Sequence, residues 1–306
     1  MVMMAVDKDG DKDGDNDSRT RLSGIGRWAP LAGDALLDRL RNTGRPRPHA
    51  DPELVRLLQD LLEQGLEGID RSGHTHRGST GDVAPLVVTK DGLNRALAGE
   101  SHLAADRFGR RAPGLALACG ALIDVLFRQL VTVGTIGDAM DDGLAALSVD
   151  DHQRDLVAWI DGLTGSERAA LTSEVERQAS ALVERWPTLH PQWLPRTQSP
   201  IRASLGGGTI ELSARVDLAI GRPPIDVASV GIVEIKSGAR RAEHRADLHF
   251  SALIETLRSP APPFVVATYY TRTGELDVDP VDQHLLTASA QRTLAGIRSL
   301  RPAEGS

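Results

Sequence analysis

The hydrophobic pattern of the chain changes near residue 200. Upstream of this point apolar residues recur at helical spacing, whereas residues 200–221 (PIRASLGGGTIELSARVDLAIG) alternate apolar and polar around three glycines. Such alternation is typical of strands with one buried face, and the glycines predict the turn of a β-hairpin. Further strands are expected at 230–236 (VGIVEIK) and 263–271 (PFVVATYYT), with an amphipathic helix at 244–259 between them.

Helices are predicted over most of the remaining chain. The segment DPELVRLLQDLLEQGLEGI has Asp51 and Pro52 as a start signal, followed by apolar residues at helical spacing. A block of helices followed by the order β-β-β-α-β predicts an α/β fold, in which a central sheet is flanked by helices. The helical segments are expected within 24–70, at 90–106, at 114–134, at 150–186 and at about 281–300.

Composition limits the class of protein. The 306 residues include a single cysteine, Cys119, so neither a disulfide framework nor a cysteine metal cluster can be built, and a reducing cytoplasm is expected. No uninterrupted apolar run of 18 residues is present, and the N-terminus lacks a basic segment followed by a long apolar one. We therefore expect neither a membrane span nor a secretory signal.

The two most polar segments are interpreted as unstructured. Residues 7–17 hold six Asp and two Lys, so about four of the seven net negative charges belong to an expected disordered acidic tail, 1–20. A calcium loop is disfavoured there because the glycine and glutamate positions of an EF-hand are not filled. Residues 71–84 form a polar, Gly-rich loop, whose His74 and His76 lack a third metal ligand and are expected to be solvated.

Three charged residues on two predicted strands suggest chemistry. Asp217 lies near the end of one strand, and Glu234 and Lys236 lie two residues apart on the next, so that they project from the same face. The 17-residue separation of Asp217 and Glu234 allows for a turn containing Pro223 and Pro224 and a return strand. Neighbouring strands would place both carboxylates and the ammonium group close together.

Such a cluster matches the needs of phosphodiester hydrolysis. A charged residue within the apolar run VGIVEIK is costly unless it is paired or binds a metal. The carboxylates of Asp217 and Glu234 with the carbonyl of Ile235 offer hard oxygen ligands suited to Mg²⁺ or Mn²⁺. Lys236 would orient the attacking water or stabilise charge developing on phosphorus. The alternative is a structural Glu–Lys pair at a sheet edge, since Glu-x-Lys alone is common.

The segments SARVDLAIG and GIVEIKSG resemble the PD-(D/E)XK nucleases, specifically their RecB-like branch, which includes AddAB-type and CRISPR-associated exonucleases. This resemblance covers roughly residues 86–270. It implies a restriction-endonuclease-like mixed central sheet within a nuclease domain at 85–306, preceded by an N-terminal helical region and loop at 21–84. It also implies metal ligation by Asp217 and Glu234 and a catalytic role for Lys236.

Other family landmarks are altered. Asp124, in GALIDVLFRQ, falls where relatives have a metal-binding His, so that either a remodelled metal ligand or a buried or capping Asp is expected. Asp247 and Ser251 occupy the positions of the QxxxY motif, and Gln198 stands where relatives often have Glu, as a weaker ligand or a DNA contact. Gly99 is near the family's cysteine position, so no iron–sulfur cluster is expected.

The expected activity is that of a Mg²⁺- or Mn²⁺-dependent nuclease, a RecB-like exonuclease acting on DNA in repair or processing. Arg240 and Arg241 follow the Glu-x-Lys strand and would bind the phosphate backbone, although a solvated helix start is equally compatible. No GxxxxGK[ST] loop is present, so any helicase partner would be a separate chain. The alternative is a catalytically weak nuclease-fold protein that binds DNA or a protein partner.

Overall fold

The computed structural model describes residues 33–67, 85–99, 113–222 and 226–299. The expectations for the acidic tail, for the loop with His74 and His76, and for Pro223 and Pro224 concern residues outside these ranges. The helices are α1 Gly33–Arg41, α2 Pro52–Leu66, α3 Lys90–Leu97, α4 Leu115–Val133, α5 Ala139–Ser148, α6 Arg154–Asp161, α7 Gly165–Arg185, α8 Ala242–Arg258 and α9 Gln283–Ser299. The strands are β1 Leu86–Val88, β2 Arg196–Leu205, β3 Ile210–Ile220, β4 Gly231–Lys236, β5 Val265–Tyr270 and β6 Glu275–Pro280.

The six strands form one mixed sheet in the order β1-β3-β4-β5-β6, with β2 paired to β3. The hairpin of β2 and β3 turns at Gly206–Gly208, where all three glycines have positive φ. Strands β4 and β5 are parallel and are connected by α8, as a crossover requires. The prediction of an α/β fold with a mixed sheet flanked by helices is confirmed, whereas β1 and β6 were not predicted.

Strand β3 is paired discontinuously along one edge. On one side, strand β2 pairs with residues 210–216 and with Leu218 and Ala219. On the other side β1 pairs with Ile210–Leu212 and β4 pairs with Leu218–Ile220. Residues 213–217 lie between these two short ladders, so that side chains rather than a neighbouring strand must satisfy the backbone there. The residues of the candidate site gather at this gap.

Helices cover both faces of the sheet. One layer contains α2, α3, α8 and α9, and the other contains α1 and α4–α7. Helix α2 belongs to the first layer, because Leu58, Leu62 and Leu66 are fully buried against it. Helix α2 thus shares a hydrophobic core with the sheet. Side chains from both layers reach residues 213–217 of β3, which lie between its ladders with β1 and β4.

The helices differ from the prediction in three places, the first being that the segment expected at 90–106 ends as a helix at Leu97. The single helix expected at 150–186 is divided, because Thr164 and Glu167 form a capping box that starts α7 three residues after α6 ends. Helix α5 was not predicted, and the side chain of Asp138 caps it by accepting from the Asp141 N–H. The predicted start of α2 is confirmed, since Asp51 accepts a hydrogen bond from the Leu54 N–H.

Helix α4 is long and apolar enough, by length and composition, to cross a membrane, and within the described ranges it is the one helix with this property. It packs against α5 and α7, and Leu122, Leu126 and Phe127 are buried in the core. Asp124 lies in the same helix and points to the site described below. The buried part of α4 thus contributes to the core of the second helical layer.

Gly221, directly after β3, lies close to the backbone of Ser229, and this close approach can be tested by substitution. Its φ is +94°, and a Cβ there would lie 2.0 Å from the carbonyl oxygen of Ser229. We predict that Gly221→Ala lowers the free energy of unfolding by about 3 kcal/mol or more, because strain and a backbone clash combine. Gly207→Ala, at φ +64° in open space, should lose only about 1 kcal/mol. Urea denaturation of both variants measures this, and equal losses would contradict the clash.

Candidate active site

Glu234 is the most buried acidic residue of the candidate site. It lies in the middle of β4 with only 2% of its surface exposed. The Lys236 ammonium donates to Glu234 Oε2 at 3.0 Å, and the Lys90 ammonium donates to Glu234 Oε1. Both lysine side chains are themselves largely covered. A buried carboxylate of this kind is stable only because each of its oxygens has a cationic partner.

Asp217 lies across from Glu234, where β3 and β4 cease to pair. Its Oδ2 accepts a hydrogen bond of 2.8 Å from the Ile235 N–H. A strand residue directs its N–H and its carbonyl to the same neighbour, so the Ile235 carbonyl also faces the β3 side. Asp217, Glu234 and the Ile235 backbone thus meet at the end of the ladder, as the spacing of the two strands predicted.

Asp124 reaches the site from α4, on the other side of the sheet from Lys90. Its Oδ1 accepts a hydrogen bond of 2.8 Å from the Gln198 side chain. Gln198 lies within β2 with a φ of +50°, one of two non-glycine residues of the described chain in the left-handed region. Such a conformation is costly for a residue with a side chain and is characteristic of functional sites. Gln198 and Asp124 are thus both placed at the cluster.

The three carboxyl groups influence one another electrostatically. Burial, together with the nearby Glu234 and Asp124, raises the pKa of Asp217 to about 7. Burial also raises the pKa of Asp124. For Glu234 burial acts in the same sense, but the ammonium groups of Lys90 and Lys236 outweigh it and lower the pKa to about 2. The cluster therefore holds more negative charge than its buried surroundings favour.

Of the residues expected to contact the substrate, Asp247 lies near the acidic cluster, whereas Arg240 and Arg241 have other surroundings. Asp247, on α8, lies near the cluster, where it interacts electrostatically with Lys90 and Lys236 and accepts a 2.9 Å hydrogen bond from the Asn94 side chain. Arg240 instead forms ion pairs with Asp277 and Glu275 of β6. Arg241 is exposed at the N-cap of α8.

Lys90 is the member of the cluster that sequence reasoning missed. It is the first residue of α3, directly after β1, and its ammonium also donates to the Arg215 carbonyl at 3.3 Å within the gap of β3. The chain has only four lysines against 31 arginines, and two of the four meet at Glu234. The rarity of lysine was the available signal, because it marks positions where arginine does not suffice.

Two arginines lie beside Asp124 on the solvent side of the cluster. Arg128 is one helical turn after Asp124, and Arg215 is an exposed residue of β3; both lower the pKa of Asp124 electrostatically. Neither side chain has a hydrogen bond or ion pair with any residue that the structure describes. They add positive charge close to Asp124, beyond that of Lys90 and Lys236 at Glu234.

The donor chemistry of the cluster fits a hard divalent cation. Buried carboxylates of like charge, one with a pKa raised to about 7, are the groups whose repulsion such a cation relieves. In the conformation described, however, no three His, Cys, Asp or Glu side chains are grouped for coordination anywhere in the described ranges. Each carboxyl is engaged by a donor, and on Glu234 Oε1 that donor is Lys90.

A surface groove of about 470 Å³ lies elsewhere in the fold. Its lining includes Pro46, Pro48, Phe264 and Pro280, and none of Asp124, Asp217, Glu234 and Asp247 belongs to it. The candidate site is therefore identified by its electrostatic arrangement and not by this groove.

Comparison with known proteins adds little to this description. No family model matches the chain, and no curated protein matches it. A solved structure described as "Crystal structure of SSO0001" is 11% identical, with 78% of this chain and 85% of that chain covered and a TM-score of 0.25. A likeness this weak carries no argument about fold or function.

The charge repulsion at Asp217 leads to a prediction for the metal-free protein. Folding raises the pKa of this carboxyl from about 3.9 to about 7, so the folded protein holds the proton more tightly than the unfolded chain does. The free energy of unfolding therefore falls as the pH rises between these two values. We predict that Asp217→Asn, which keeps an oxygen to accept from Ile235, is more stable than wild type at pH 8, by on the order of 2–4 kcal/mol. The two should differ little at pH 4. Denaturation in EDTA measures this, and a variant that is less stable at pH 8 would contradict it.

Proposed function

We propose that the chain is a metal-dependent nuclease of the PD-(D/E)XK type, with a restriction-endonuclease-like sheet and a RecB-like exonuclease activity on DNA. The observation that carries the proposal is the convergence of Asp124, Asp217, Glu234 and Lys236 from three elements onto the gap in β3. The resemblance of SARVDLAIG and GIVEIKSG to that family supports it.

Asp217, Glu234 and the Ile235 carbonyl would hold Mg²⁺ or Mn²⁺, with Asp124 as a further ligand. When bound, the cation would polarise a phosphate oxygen and lower the pKa of a coordinated water. Burial at the end of the ladder keeps these carboxylates in a fixed geometry. The Ile235 N–H orients Asp217, and the strained Gln198 orients Asp124.

Lys236 would act on the phosphoryl group. Its ammonium is fixed by Glu234 Oε2, while a quarter of the side chain remains exposed. Burial opposes its charge, but Glu234 and Asp217 raise the pKa of Lys236 above its ordinary value, so that it remains an ammonium group. A fixed positive charge at this position stabilises the negative charge that develops on phosphorus during attack by water.

DNA is the proposed substrate. Arg128 and Arg215, free of partners in the described part of the chain, would bind phosphates beside the cleavage site. The carboxylate of Asp247, which accepts a hydrogen bond from Asn94, would repel the phosphates of the DNA and so limit where the DNA strand can lie. Arg240 is already paired with Glu275 and Asp277 of β6, so it would contribute less to phosphate binding than its position after the Glu-x-Lys strand suggested. A role in DNA repair or processing in the cytoplasm, with any helicase as a separate chain, is part of this proposal.

The runner-up is a nuclease-fold protein that binds DNA or a partner but cleaves weakly. One observation favours it: the Lys90 ammonium is already paired with Glu234 Oε1, one of the oxygens that would be available to a metal. The two proposals separate in a calorimetric titration with Mn²⁺ and a cleavage assay on the same sample. Metal binding with robust cleavage supports the nuclease, whereas DNA binding with neither supports the runner-up.

Lys236→Met is the most direct mutational test of the proposed chemistry. It keeps the side-chain length and removes the charge, so we predict that Mg²⁺-dependent degradation of end-labelled DNA falls about 100-fold or more. Arg154→Gln, which removes an exposed cation paired with Asp151, should retain wild-type activity. Circular dichroism checks that both variants are folded. Full activity of a folded Lys236→Met protein would remove the lysine from the mechanism.

A further inference from the structure

Lys90 occupies a position that the proposed activity does not account for. Glu234 already has an ammonium partner in Lys236, yet a second ammonium group contacts its other oxygen. The two ammonium groups together carry one positive charge more than the single carboxylate that they contact. Their combined charge instead balances part of the three-carboxyl cluster to which Glu234 belongs.

The fold places Lys90 at this position by several independent contacts. Strand β1 pairs in parallel with β3 up to Val88 and Leu212. The Thr89 side chain then caps α3 by accepting from the Gly92 N–H. Lys90 is thereby held at the first position of the helix, beside the unpaired stretch of β3. Its ammonium bridges Glu234 and the Arg215 carbonyl, and only 17% of its side chain is exposed.

We propose that the Lys90 ammonium occupies the cation position of the acidic cluster in the metal-free protein, and that a divalent cation binds there only when Lys90 leaves Glu234. This inference rests on the proposed function for the identity of the site. An ammonium group and a divalent cation on the same carboxylate oxygen would repel each other strongly in a buried setting. Occupation of Glu234 Oε1 by one therefore excludes the other.

The displaced Lys90 side chain has room to move and a new partner within reach. The stem of lysine has four flexible carbons, so the ammonium can move while α3 stays in place. Asp247 already interacts electrostatically with Lys90 and lies near the cluster on α8. Its carboxylate offers the released ammonium a new partner. Lys90 thus acts as a built-in counter-ion, which stabilises the empty site and lowers its affinity for metal.

The test compares Lys90→Gln with wild type and with Asp91→Asn, which removes an exposed charge from the next residue. Each protein is titrated with Mn²⁺ in a calorimeter, and its thermal unfolding is measured in EDTA. We expect Lys90→Gln to bind Mn²⁺ at least tenfold more tightly and to melt at a lower temperature in EDTA. Asp91→Asn should match wild type in both measurements.

Unchanged or weaker Mn²⁺ binding by folded Lys90→Gln would overturn the inference, and if wild type binds Mn²⁺ and cleaves DNA, the proposed function still stands. Tighter binding without cleavage by either protein would support the counter-ion role and overturn the nuclease. Absence of Mn²⁺ binding by both proteins would overturn both proposals.

A measurement on the wild-type protein covers the case in which Lys90→Gln does not fold. Reductive methylation followed by mass spectrometry reports how accessible the Lys90 amine is. We expect Mn²⁺ to increase the methylation rate of Lys90 severalfold relative to EDTA, because the amine leaves its buried ion pair. A rate that Mn²⁺ leaves unchanged would overturn the inference.

Discussion

The buried negative charge of Glu234 is the constraint on which the rest of the site depends. A carboxylate with 2% exposure in the middle of a strand is tolerated only with close cationic partners. Lys236 comes from the same strand, but Lys90 must be brought from 144 residues earlier in the chain. The short strand β1, the capped start of α3 and the interrupted pairing of β3 are the features that bring it there.

The same gap explains why both helical layers contribute to one site. Because no strand within the described ranges pairs with the middle of β3 on that side, Lys90 reaches the gap from the layer of α3 and α8, and Asp124 reaches it from α4 in the opposite layer. Gln198 combines a positive φ with a hydrogen bond to Asp124, so that backbone strain lies at the cluster. Repulsion among carboxylates and local strain coincide in this region, and they support the proposed metal-dependent chemistry.

Much of this arrangement was accessible from the sequence. The alternating pattern around Gly206–Gly208 predicted the hairpin, and the placement of Asp217, Glu234 and Lys236 on adjacent strands followed from it. Asp124 was anticipated through the family resemblance, and the structure places it at the cluster. Lys90 was missed because β1 has only three residues and because a contact across 144 residues leaves no periodic signal. The strain at Gln198 was likewise unpredictable, since it arises from pairing geometry and not from residue type.

The most direct test of the account is an anomalous difference map from crystals of the protein grown with Mn²⁺. The account predicts one strong peak bounded by Asp217, Glu234 and the Ile235 carbonyl, with Asp124 at its border and the Lys90 ammonium withdrawn from Glu234. A map without a peak at this position, with Lys90 still bound to Glu234 at saturating Mn²⁺, would contradict the central claim that the cluster is a metal-dependent catalytic site.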